Sequence, residues 1–202
     1  GPDINISFPS DLLKEVQFDQ HDFDRKLNYY APALVALSTG SPFVNGKLWQ
    51  WEFGKYGKSF RTHKRSIIAP VVEYHGGEEN RIEFKPLDMS PYLGDFRVQF
   101  LLVIALVVDR DLIGRCDRAC RIYELGNVAK FGLDYAPAVH KLTALIREAE
   151  AILPRIGFDI APLEIAKKRI KDKLTVADEL IDLYMKDRSM ENCLQFLANI
   201  YE

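Results

Sequence analysis

Long apolar runs, an excess of charge of one sign, and cysteine are all scarce in this chain of 202 residues. The longest apolar run, FLLVIALVV at residues 100–108, is far shorter than the roughly 18 residues a membrane-spanning helix needs, and it predicts a buried helix. Twenty-seven Lys and Arg stand against 29 Asp and Glu, a formal charge of -2, so no field over the whole molecule draws it to nucleic acid or to an anionic membrane. Any anion must be met by a local cluster. The three cysteines are an odd number with no signal-peptide pattern, which does not fit a secreted disulfide framework. Cys116 and Cys120 lie four apart in a segment of helical pattern, but no second pair or nearby His completes a tetrahedral metal set, so structural thiols in a reducing cytoplasm are expected. No P-loop, G-x-G-x-x-G, H-E-x-x-H or G-x-S-x-G is found, and the four histidines have no nucleophile at an interpretable spacing.

What is present is an ordinary globular composition, 48% hydrophobic, enough for a substantial core. The segment DINISFP alternates Ile4, Ile6 and Phe8 with polar residues and predicts a strand. From Asp22 the period becomes helical through Phe23, Leu27, Tyr30, Leu34 and Leu37, with Pro32 marking a kink or a break. A long stretch rich in Gly and aromatics follows, residues 39–61, and a connection of that length is a functional loop, a surface loop pinned by its aromatics, or a wrong assignment. Two strands around a turn at Gly76 and Gly77 come next, the first containing Pro70, and Ser90 with Pro91 predicts the N-cap and first position of an apolar helix running to about Gly114. Helical periodicity then covers residues 117–124, 135–152, 162–171 and 176–201. The expected fold is α+β: a partial antiparallel sheet in residues 1–115 with an apolar helix, and a helical part, residues 116–202, packed on it, possible within a single domain.

The sequence NRIEFKPLD, residues 80–88, carries the chemistry. As a strand it places Arg81, Glu83 and Lys85 on one face and Ile82 and Phe84 on the other. The wet side of a half-buried sheet would show the same alternation. A nucleotide-metal surface is the sharper reading, with Glu83 offering oxygens to Mg²⁺ and the flanking cations holding phosphate; Mg²⁺ is content with one or two carboxylates plus phosphate and water. The nearby KSFRTHKR adds Lys58, Arg61, His63, Lys64 and Arg65, of which Arg61 and Arg65 are the better clamps because guanidinium grips planar anions bidentately.

Three ordered motifs, YYAPALVALSTGSPFVNGK, KYGKSFR and NRIEFKPLDMSPYLGDFRVQFLLVIALV, together resemble the later half of the carboxylate-amine ligases of the glutamate-cysteine ligase type 2 family, relatives of glutamine synthetase. The resemblance covers residues 3–108. It implies a partial glutamine synthetase-like sheet and an enzyme that uses ATP and Mg²⁺ to turn a carboxylate, glutamate or a similar amino acid, into an acyl phosphate that an amine acceptor attacks. On that resemblance Glu83 is a metal ligand, Arg81 and Lys85 face the phosphates, Arg61 holds phosphate or substrate carboxylate, Arg65 joins them, and Ser41, Pro42 and Phe43 shape the acceptor side. Arg61 and Arg81 would be the catalytic pair.

Two departures limit what this chain would do alone. The family's upstream strand with paired Glu ligands has no counterpart, and its His-x-His strand, if aligned with DINI, has become Asp3 and Asn5. The opening Gly1-Pro2 reads as the scar of a cleaved tag. The chain is therefore expected to be a truncated piece, one subunit of a split enzyme completed by a second chain, or a relative without activity. The alternative is a non-catalytic module that binds a partner protein through an open sheet edge. Homo-oligomerisation through that edge follows from both, and a cytoplasmic location is expected.

Overall fold

A computed structural model describes residues 4–65, 72–75 and 80–199. It is α+β, with 64% helix and 11% strand, so most apolar helix surface must be covered by other helices. Strand β1 (Ile4–Ser7) precedes helices α1 (Ser10–Glu15) and α2 (Gln20–Ser38). The stretch expected to be a long connection folds into two small hairpins, β2 (Phe43–Val44) with β3 (Lys47–Leu48) and β4 (Gln50–Glu52) with β5 (Lys55–Tyr56), followed by α3 (Phe60–Arg65). Asn45 and Gly46, both at positive φ, form the first hairpin's turn, in keeping with the preference of such two-residue loops for Asn-Gly.

Strands β6 (Val72–His75) and β7 (Arg81–Phe84) pair antiparallel, and β1 lies on the other side of β7, giving the order β1-β7-β6. Pro70 and the turn expected at Gly76 and Gly77 fall outside the described residues. Ile82 and Phe84 are fully buried, so the side of β7 facing the core is the one the alternation assigned.

The helices α4 (Leu93–Val108), α5 (Arg118–Phe131), α6 (Ala136–Ile152), α7 (Leu163–Asp172), α8 (Val176–Asp187) and α9 (Met190–Asn199) complete the described chain. Helix α4 is apolar on nearly every side and is buried accordingly against α2 and α6. One core cluster holds Ile6, Phe84, Leu102, Leu142 and Ala166, spanning both halves of the sequence. Pro32 sits inside a continuous α2, where burial of the surrounding turn outweighs the lost backbone bond. The buried Lys26 donates from Nζ to the carbonyls of Leu106 (3.0 Å) and Asp109 (2.6 Å), closing the C-terminal end of α4.

Four expected boundaries move, the first being the end of α5, which runs through Gly126 to Phe131 instead of stopping at Glu124. Helix α4 begins after Tyr92 because the Ser90 hydroxyl is used in accepting from Tyr92 N at 3.1 Å and in bonding Asp95. It stops at Val108, where the Asp109 carboxylate accepts from the backbone of Asp111 and Leu112 at 3.0 Å each and turns the chain. The last expected helix is two: Arg188 adopts a left-handed conformation, and Ser189 Oγ accepts from Asn192 N at 3.2 Å to start α9. Among the described residues no helix is long and apolar enough to cross a membrane.

Candidate functional site

Strand β7 is central in its sheet, and its outward face carries the predicted ionic row. Glu83 is gripped from both sides, by Arg81 on Oε1 and by Lys85 on Oε2, with Glu83 15% exposed and its two partners about twice that. The two cations hold the Glu83 carboxyl down to about 2, the Lys85 hydrogen bond first and that of Arg81 second, so it is ionised throughout the physiological range. Asn5 on β1 lies directly across from Glu83, and its Oδ1 accepts from Arg81 Nη1 at 2.7 Å. The face is neither sealed by apolar packing nor fully wet.

Arg61 is placed differently from the row. Its guanidinium donates to the backbone carbonyls of Lys85 (3.1 Å), Pro86 (3.2 Å) and Leu87, and lies 3.6 Å from Asp88 Oδ1. It staples the turn leaving β7. Arg65 ends α3, and its side chain lies outside the described residues.

The residue that sequence reasoning passed over is Asp88. It is 1% exposed, and its Oδ2 accepts from Gly40 N at 2.9 Å. Burial pushes its carboxyl up from the ordinary value, against the opposing pull of Ser59, Gly40, Arg61 and Ser41. Ser41 pairs with Ser59 in an isolated bridge, and Phe60 N donates to Ser41 O at 2.8 Å. All three sequence motifs therefore meet at one buried carboxylate: the loop after α2, the start of α3 and the end of β7. Gly40 is obligatory there, since a Cβ would stand 2.9 Å from the Met89 carbonyl oxygen. The one available signal was the presence of Asp in the third motif, between two prolines.

The acceptor-side residues also acquire neighbours. Pro42 O accepts from Trp49 N at 2.7 Å, and the Phe43 ring packs edge-on against Tyr184 of α8, 5.3 Å between centroids. The His63 imidazole lies against Trp49 at 4.6 Å, and burial together with Lys130 and Lys64 holds its pKa below the ordinary value. Comparison with family models, with curated proteins and with solved structures gives no match.

The fit to Mg²⁺ and ATP can be judged from the donors. Glu83 bonds Arg81 through one carboxylate oxygen and Lys85 through the other. Among the described residues no group of three His, Cys, Asp or Glu side chains gathers as a metal site. A Mg²⁺ ion held here would have Glu83 as its one protein carboxylate and would need phosphate and water for its remaining positions.

Proposed function

We propose that this chain is the C-terminal portion of an ATP- and Mg²⁺-dependent carboxylate-amine ligase, acting on glutamate or a similar amino acid and incomplete as an active site by itself. The observation that carries the reading is the meeting of the three motif segments at Asp88, in the turn that leaves β7. Independent surface stretches have no reason to share a buried anchor. ATP with Mg²⁺ supplies activation of the carboxylate as an acyl phosphate. Glu83 would hold the cation, and Arg81 and Lys85, the two positive charges beside it on and just after β7, would neutralise phosphate oxygens. Arg61 acts behind them by fixing the backbone of Lys85. Asn5 brings β1 into the same face.

The test is binding of a fluorescent ATP analogue with Mg²⁺, followed by turnover with glutamate and a panel of amines once the protein's remaining strands or partner chain are supplied. Glu83→Gln is expected to abolish Mg²⁺-dependent nucleotide binding while the far-ultraviolet circular dichroism stays unchanged. Equal binding by the parent and by Glu83→Gln overturns the metal role, and the absence of Mg²⁺-dependent ATP turnover in the completed protein overturns the ligase. A second reading has its own support: β1 and β6 are the outer strands of the described sheet, and an outer strand is a template for pairing. In that reading the chain is a protein-binding module, and a pairing partner or a second copy is recovered with it while nucleotide is not.

A further inference from the structure

A cavity of about 740 Å³ opens where the start of α4 meets α7 and α8. Its size is that of a small-molecule site. Leu93, Phe96, Ile165 and Leu174 supply apolar wall, with Leu93 65% exposed and Leu174 38% exposed, while Tyr92 and Glu179 supply a polar end.

The charges at that end are unequally satisfied. Arg169 is held by Asp95 through two 2.9 Å bonds, donates to Leu174 O at 3.1 Å, and lies over the Tyr92 ring at 5.4 Å. Three of its five N–H donors are spent in this way, the Nε–Nη2 edge on Asp95. Glu179 has only the Tyr92 hydroxyl, which donates to Oε2 at 3.2 Å, and makes no ion pair with any described residue. Burial pushes its carboxyl up, the expected response of a half-buried carboxylate lacking a cation at contact distance. Three carboxylates (Asp95, Asp172, Glu179) against two cations (Lys168, Arg169) leave the lining one charge negative. An anion would face Glu179 with no guanidinium fork to receive it. A metal ion lacks its third ligand among the described residues.

We propose that this cavity binds a primary ammonium carrying a short apolar body, the ammonium on Glu179 and Tyr92 and the body against Leu93, Phe96, Ile165 and Leu174. An ammonium supplies a charged N–H donor to the carboxylate oxygen that Tyr92 does not reach, and the exposed leucines are covered by the apolar part.

The test titrates the protein with 2-phenylethylamine, 2-phenylethanol and 3-phenylpropionate by isothermal calorimetry near neutral pH, without nucleotide, so that failure here leaves the ligase reading untouched and failure of the ligase leaves this one standing. The amine is expected to bind saturably, at least about tenfold tighter than the alcohol or the carboxylate, a difference of about 1.4 kcal/mol. Glu179→Gln keeps the volume and an acceptor for Tyr92, and should bring the amine down to the affinity of the alcohol. Leu174→Gln should weaken amine and alcohol alike. Equal affinity of amine and alcohol for the parent protein, an unchanged amine affinity in Glu179→Gln, or no saturable amine binding at millimolar concentration overturns the proposal. The comparison of the three probes on the parent protein decides the matter even if a variant does not fold.

Discussion

Glu83 and Asp88 lie five residues apart on one strand and the turn that leaves it, and their surroundings drive them in opposite directions. Glu83, beside two cations and near the surface, is held at about 2. Asp88, buried in the turn after the strand, is pushed above the ordinary value although Arg61 is close by. The difference teaches that proximity to a cation does not settle a carboxylate's state; loss of water does, unless the cation's hydrogen bonds are made directly to it. Arg61 spends its donors mainly on backbone carbonyls, whereas Arg81 and Lys85 spend theirs on the carboxylate itself. The outer carboxylate is held ionised by direct bonds, and the inner one is held by burial among backbone and hydroxyl donors.

The contrast breaks first at the inner site. Asp88→Ala removes the acceptor of Gly40 N and the nearest counter-charge of Arg61, and breaking a buried polar pair of this kind is expected to cost about 3–5 kcal/mol, read as the loss of stability in urea unfolding. Arg61→Lys should cost less, about 2 kcal/mol, because an ammonium cannot span three carbonyls with one planar fork. If Arg61→Lys leaves stability intact but removes nucleotide binding, Arg61 is a ligand clamp and not a staple. Glu83→Gln is expected to change the unfolding midpoint least. Its effect should carry a pH signature: because the folded-state pKa is below the ordinary 4.5, the ion-paired row contributes stability above that value and loses it as pH falls toward about 2. The stability gap between the parent and Glu83→Gln should close over that window, and a gap that instead widens on acidification would mean the row is not ion-paired in solution.

What the sequence revealed and what it hid divides along the same line. The two-residue period of NRIEFKPLD displays the face of β7 directly, since a strand's alternation is written in consecutive letters. Helix α4 was legible from its apolar run, and β1 from three alternating apolar residues. The Asp88 anchor was not, because Gly40, Ser59 and Asp88 become neighbours only through tertiary folding, and no period links positions so far apart. The breaks at Asp109 and Arg188 were hidden for a local reason: each depends on how one side chain or one backbone angle competes with the helix, and a polar residue inside a helical pattern does not announce that choice. The small hairpins between α2 and α3 fell below the length at which alternation can be recognised.

Lys26 has a consequence on the alkaline side. Burial brings its amine down from 10.5 to about 8, although it caps the end of a helix, so the folded chain holds this proton more weakly than the unfolded chain does. Folding therefore grows more favourable at this position as pH climbs between those two values, and a protein that looks acid-tuned from its pI of about 6.1 carries one internal base that prefers mildly basic water.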